Sequence, residues 1–251
     1  MSQNLYITCE ALILASFILS LSRKTLALSC ILFFAYILSG LCYIFLRYYW
    51  SFPMTPMYLG TAASAPVLAL FGAISLGMGL KPRFLLLYRS LCILVFLLGL
   101  SQVLFPKDYY LPFLKTATFF SHMHLAFTIL GKAAFFLSGL WAINYMVDKT
   151  AEPRYSSGRF FLFLVLGFVC WTLSMFAGEV WSYLGWGLPV VWDDAVIVTY
   201  MATWFFYIGL LHLHLAGRFS TLIRAIASAV GIAWLLVVNC IPDLGPYRPL
   251  F

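Results

Sequence analysis

Apolar residues run along this chain in long blocks, and polar residues gather in the short breaks between them. Runs long enough to cross a bilayer as helices, about 20 residues at 1.5 Å rise each, fall at approximately 4–22, 25–47, 58–80, 84–104, 119–147, 159–181, 194–216 and 222–241. Each break carries charge or turn residues: Arg23-Lys24, Phe52-Pro53-Met54, Lys81-Pro82-Arg83, Pro106-Lys107-Asp108, Asp148 to Arg154, Gly178 to Asp194, and Gly217-Arg218. No window alternates as a barrel strand would, and no stretch has room for a soluble domain of ~100 residues. The pattern predicts an all-α polytopic membrane bundle of about eight transmembrane helices, a single integral membrane domain over 1–251.

Composition agrees: 64% of residues are hydrophobic and 9% charged, where a soluble domain carries about a quarter charged. The charges report orientation, because basic loops stay on the cytoplasmic side. Arg23, Lys24, Lys81, Arg83, Lys149, Arg154, Arg159, Arg218 and Arg224 fall on one side, and only Arg47, Lys107, Lys115 and Arg248 on the other. Both termini are therefore expected on the outer face, together with the segment 178–194. The net charge of +7 becomes a topology signal, and no nucleic-acid partner is expected. The start, MSQNLYITCE, lacks the basic region of a cleaved signal peptide.

Three ionisable residues interrupt the apolar runs, Glu10, Arg89 and Lys132, and such groups face a bundle interior or a watery cavity. Arg89, near the inner end of its helix, is expected to snorkel to the surface. The six cysteines stand singly with no Cys-x-x-Cys pair, as small buried hydrophobes do.

All four histidines come in two pairs, His122/His124 in FSHMHLAF and His212/His214 in LLHLHLAG. In the orientation above, the first pair begins the fifth helix at its outer end and the second closes the seventh at its inner end. A helix from 194 to 212 rises about 27 Å, so one metal ion cannot serve both pairs. Zinc is not expected, since no place collects three or four Cys, His or carboxylate ligands. The segment GEVWSYLGWGLPVVWDD, residues 178–194, is where tryptophan, glycine and carboxylate crowd together. Trp181, Tyr183, Trp186 and Trp192 supply flat faces, Gly185 and Gly187 permit close backbone approach, and Asp193 or Asp194 suits the cap of the next helix.

The order histidine, helix, basic inner loop, helix, outer tryptophan-rich loop ending in Trp-Asp, helix, histidine resembles the haem-handling membrane proteins of cytochrome c assembly. These are the tryptophan-rich-loop cytochrome c synthases, the CcmC-type and the HemX-type proteins. The resemblance covers about 119–240 and rests on three pieces. His124 leads HLAFTILGKAAFFLSGL with Gly131, Ala133 and Ala134; Trp181, Trp186-Gly187 and Trp192-Asp193 match the loop; His212 falls where the synthases have a transmembrane histidine, with His214 as the neighbouring choice. The chain departs from the family at Val190, where the loop has its middle tryptophan. It also lacks a histidine after His214 and before residue 119.

The resemblance implies a haem-handling core over 119–240 that binds haem b, transiently or permanently, in a bacterial-type inner membrane or its organellar equivalent, with the loop 178–194 outside. It implies cofactor contacts at His124, Trp181, Trp186, Trp192, Asp193, His212 and His214, with His124 and His212 as iron ligands at two separate sites. A flat apolar macrocycle asks for flat aromatic faces and an axial imidazole. The second ligand is left to Met54, Met57 or a partner residue. Partners are other membrane subunits or a cytochrome c or apocytochrome, and enzymatic activity is at most a share in a haem lyase system. The outer segment 106–120, PKDYYLPFLKTATFF, reads as interfacial. Two rival readings stand beside the assembly factor: a structural or electron-transfer subunit of a redox complex, and a HemX-like regulator of haem synthesis.

Overall fold

The computed structural model describes residues 2–52, 59–77, 84–105, 118–147, 153–242 and 244. The ligand candidates Met54 and Met57, most of the 106–120 segment, and the basic residues 81, 83, 107, 115, 149 and 248 lie outside the described residues. What is described is all-helical, with no strand. Among the described residues six helices are long and apolar enough to cross a membrane, and two more, Leu5–Ser20 and Ala62–Leu76, are apolar but shorter.

The chain divides into two compact units. The first holds α1 (Ser2–Ser20), a 3-10 turn at Arg23–Thr25, α2 (Leu26–Ser51), α3 (Leu59–Leu76) and α4 (Leu85–Leu104). α1 packs on α2 and α4, and α3 on the same two helices. Small hydroxyls close the α1–α2 corner: Ser22 caps the 3-10 turn by accepting from the Lys24 amide, and Thr25 Oγ1 donates to the Leu19 carbonyl at 2.6 Å. Arg89 of α4 binds the Ser20 carbonyl through Nε (3.2 Å) and Nη2 (2.6 Å). The expected snorkelling guanidinium thus takes up a carbonyl that the end of α1 leaves without a helical donor.

The second unit holds α5 (Phe119–Val147), α6 (Pro153–Trp186), α7 (Ala195–Leu215) and α8 (Thr221–Leu235), the last continuing as one π-helical turn over Leu236–Cys240. α5 is its core, with Ile129, Ala133 to Trp141 and Asn144 buried among α6 and α8. Gly131 and Gly167 let α5 and α6 approach: a Cβ on Gly131 would meet the Trp171 backbone amide at 3.3 Å, and one on Gly167 would strike the Phe135 ring. Phe135 then stacks on Tyr207 of α7 at 3.4 Å and 6°, and the Tyr207 hydroxyl donates to the Gly231 carbonyl of α8 at 3.1 Å.

Helix ends differ most from expectation at α6. It starts at Pro153, where a proline without an amide hydrogen fits the first helical turn, and runs 34 residues to Trp186, about 51 Å. The expected loop 178–194 is therefore half helix: 178–186 are the last turns of α6, and only 187–194 are irregular. Gly187 stops the helix at φ +76, its amide donating to the Tyr183 carbonyl at 2.9 Å, a glycine stop in left-handed backbone. Ser182 Oγ donates to the Leu188 carbonyl at 2.7 Å and folds the turn back. Asp194, rather than Asp193, caps α7, its side chain accepting from the Val196 amide at 2.8 Å.

Candidate functional site

His124 lies on the second turn of α5, facing α6. Its Nδ1 is 2.9 Å from the Ser174 carbonyl. A carbonyl only accepts, so Nδ1 carries the hydrogen and Nε2 keeps its lone pair. No described residue hydrogen-bonds Nε2. Ser174 Oγ sits 3.0 Å from the same Nδ1 and donates to the His124 carbonyl at 3.0 Å. Thr128, one turn on from His124 and on the same face, reaches Ser174 Oγ at 2.7 Å, and the Tyr200 hydroxyl of α7 donates to Thr128 Oγ1 at 3.1 Å. Three helices thereby hold one imidazole in one tautomer, the kind of second layer that orients a metal-binding histidine.

Aromatic rings finish the setting. Trp181 lies 5.7 Å from the His124 ring at 36°, and Tyr200 lies 5.2 Å away at 32°. Tyr200 is itself stacked on Trp171 at 4.7 Å, whose Nε1 donates to the Tyr200 carbonyl at 3.1 Å. Gly178 provides the space: a Cβ there would lie 2.9 Å from His124 Nδ1. Trp186 meets Trp181 edge-on at 5.6 Å and is otherwise exposed, at 52%.

The structure therefore brings His124, Trp181 and Trp186 together. Trp192, 66% exposed, makes no hydrogen bond or ring contact among the described residues, and Asp193 is exposed beside it. Ser174, Thr128 and Tyr200 escape a sequence reading because they belong to the site through packing across 46 to 72 residues of chain. Only the spacing of Ser174, Gly178 and Trp181, which stripes one helical face, hints at them. Lys132 is buried at 1% exposure two turns beyond His124.

The second histidine pair sits at the opposite end of α6. His214 touches Phe160 and Phe161, each at 5.5 Å, whereas His124 faces Ser174 and Gly178. Phe161 and Gly178 are separated by about 26 Å of helix. Within the pair the two rings differ in burial. His212 is exposed, its Nδ1 donating to the Ile208 carbonyl at 2.8 Å. His214 is 8% exposed, its Nδ1 donating to the Leu210 carbonyl at 2.8 Å, and its Nε2 is buried without a partner. The Asn144 amide, Ser156 Oγ, Arg224 Nε and Ser228 Oγ are also unpartnered in this unit. The first three fall level with His214, and Ser228 about one turn away, when the antiparallel register of Ser138 to Phe160, Gly139 to Ser228 and Tyr207 to Gly231 is extended to the helix ends.

Among the described residues no three Cys, His, Asp or Glu side chains converge to hold a bare metal ion. A planar group whose own ring supplies most of the ligands needs only one imidazole from the protein. His124, with Nδ1 committed and Nε2 open beside two aromatic rings, fits that requirement; His214 offers the same tautomer with an unpartnered Nε2. Compared with known protein families and with curated proteins, the chain matches none.

Proposed function

We propose that this chain is a haem-handling membrane protein of the cytochrome c assembly kind, a diverged relative of the synthase, CcmC-type and HemX-type proteins. It holds haem b at the outer membrane face and presents it to an apocytochrome or partner subunit. One observation carries the reading: His124 is locked by the Ser174 carbonyl into the tautomer that leaves Nε2 free, with Trp181 and Tyr200 against its ring. Trp186, edge-on to Trp181, extends that aromatic face, and Trp192 and Asp193, exposed in the turn after α6, are the further haem contacts of this reading. His214 is the inner candidate ligand in preference to His212.

Bound haem supplies a redox-active iron; the chain's residues orient it and keep it within reach of a partner. A single imidazole at each end supports loose holding and release over permanent storage, because bis-axial ligation within the chain lacks a second histidine. Any lyase activity belongs to a complex of which this chain is one subunit. The reading places eight helices across a bacterial-type inner membrane or its organellar equivalent. Both termini and the 187–194 turn lie outside, as the basic loops favour.

The test is a pyridine haemochrome assay on the purified protein with oxidised and reduced spectra. Substoichiometric b-type haem that His124→Ala removes and His212→Ala retains is the expected result. Stoichiometric haem held through a strong bis-axial site would shift the assignment to an electron-transfer subunit, and no haem under any condition would favour the structural or regulatory reading.

A further inference from the structure

α1 buries a polar seam. Its inward positions are Tyr6, Cys9, Glu10, Ile13, Ser16 and Ser20, and this face packs on α2 and α4, both apolar enough to span a membrane. Toward the Ser20 end the polar groups satisfy one another. Ser16 Oγ, Ser29 Oγ and Tyr88 OH form a closed triangle of 2.8, 2.9 and 3.3 Å. Cys9 Sγ donates to Ser39 Oγ at 3.3 Å.

Glu10 stands apart from this pattern. Its side chain is 6% exposed, neither oxygen accepts a hydrogen bond, and no described residue forms an ion pair with it. Gly99 of α4 makes the room, since a Cβ there would collide with the carboxyl. Two further orphans lie at the same level. Tyr6, one turn earlier on α1, has an unpartnered hydroxyl, and Gln102, three residues past Gly99 on the same face of α4, has an unpartnered amide nitrogen; each residue is 8% exposed. Ala62 of α3 packs against Tyr6, Tyr43 and Val103, and Pro66 has no N–H to give the Ala62 carbonyl.

One ring contact and one hydrogen bond lead from this level toward the end of α2. The Tyr6 ring lies 4.9 Å from Tyr43, and the Tyr43 hydroxyl accepts from Arg47 Nε at 3.1 Å. The ionisable groups around Glu10 are Tyr6 and Cys9 on α1, Tyr36, Cys42 and Tyr43 on α2 with Arg47 behind Tyr43, and Cys92 on α4. α3 brings none, and Arg23 and Lys24 of the 3-10 turn sit at the far end of α1.

Unpartnered polar groups between apolar helices destabilise the fold unless something completes them. We propose that Glu10 is the centre of a proton-exchanging site in the first unit, reached from the Arg47 end of α2 through Tyr43 and Tyr6. A proton on Glu10 removes the buried charge and turns a pure acceptor into a donor, so that the carboxyl, the Tyr6 hydroxyl and the Gln102 amide become mutually compatible. One O–H bond forms on uptake from water and breaks on return to it, with the Tyr6 oxygen accepting one proton as it releases its own. The site owes nothing to the haem reading, which rests on the second unit.

The test is labelling of the full-length protein in membranes with dicyclohexylcarbodiimide, which couples to protonated carboxyls sheltered from water, read by peptide mass spectrometry across pH. The adduct is expected on Glu10, with a yield that falls roughly tenfold per pH unit above its titration midpoint and is indifferent to sodium. Glu10→Gln abolishes it. Tyr6→Phe, which removes only a hydroxyl, slows deuterium exchange of the protonated-carboxyl infrared band. An unlabelled Glu10, or a yield flat across pH, overturns the proposal; protection by sodium replaces the proton with a metal cation; unchanged exchange in Tyr6→Phe removes the route.

Discussion

A half-buried imidazole with one nitrogen committed is sensitive to what fixes it. Gly178→Ala puts a methyl 2.9 Å from His124 Nδ1, too close for the ring to keep its bond to the Ser174 carbonyl. Since partners that orient a ligand histidine typically contribute about 10- to 100-fold in affinity, a loss of haem retention on that scale is expected in a haemochrome titration. The two histidines at the end of α7 separate in the same way. His214→Ala removes a ring packed between Phe160 and Phe161 and is expected to cost about 2–3 kcal/mol. His212→Ala, on an exposed face, stays within about 0.5 kcal/mol; thermal melts in detergent rank the two. Equal melting temperatures would mean that the ring of residue 214 is not buried.

At the scale of elements, helix ends decide where the aromatic residues stand. Gly187 at φ +76 lets α6 stop immediately after Trp186. A β-branched residue there meets a left-handed backbone cost of roughly 1–2 kcal/mol, so Gly187→Val should lower the melting temperature by a few degrees. Asp194→Ala removes the cap of α7 at about 1 kcal/mol, while Asp193→Ala, whose side chain caps nothing, leaves melting unchanged. The apolar runs already show helices at nearly all these places, because hydropathy alone marks a segment that needs no water. They do not show that α6 continues through Gly178–Trp186. Tryptophan and glycine at a membrane surface are compatible with loop or helix, and only the Gly187 turn and the Ser182 to Leu188 bond distinguish them.

For the whole molecule, orientation rests on the uneven distribution of lysine and arginine. In a variant freed of its own cysteines, a single cysteine at Trp192 is expected to react with an impermeant maleimide from outside, and one at Gly217 only after the membrane is opened. The reverse pattern would invert the topology and move the His124 end to the cytoplasmic side. The two compact units also divide the chemistry: the histidines and their aromatic neighbours belong to α5–α8, and the orphaned carboxyl of Glu10 to α1–α4.

Apolar run length was enough to establish the long apolar helices of a membrane protein, and the paired histidines were enough to name His124 among the candidate ligands. Each of these is local, a matter of transfer free energy or of residues close along the chain. The burial of His214 beside an exposed His212, the grip of Ser174, Thr128 and Tyr200 on His124, and the isolation of Glu10 were decided by packing. A hydropathy profile assigns the same value to a side chain whichever way its helix is turned, and only neighbouring helices fix that rotation and determine which polar groups find partners.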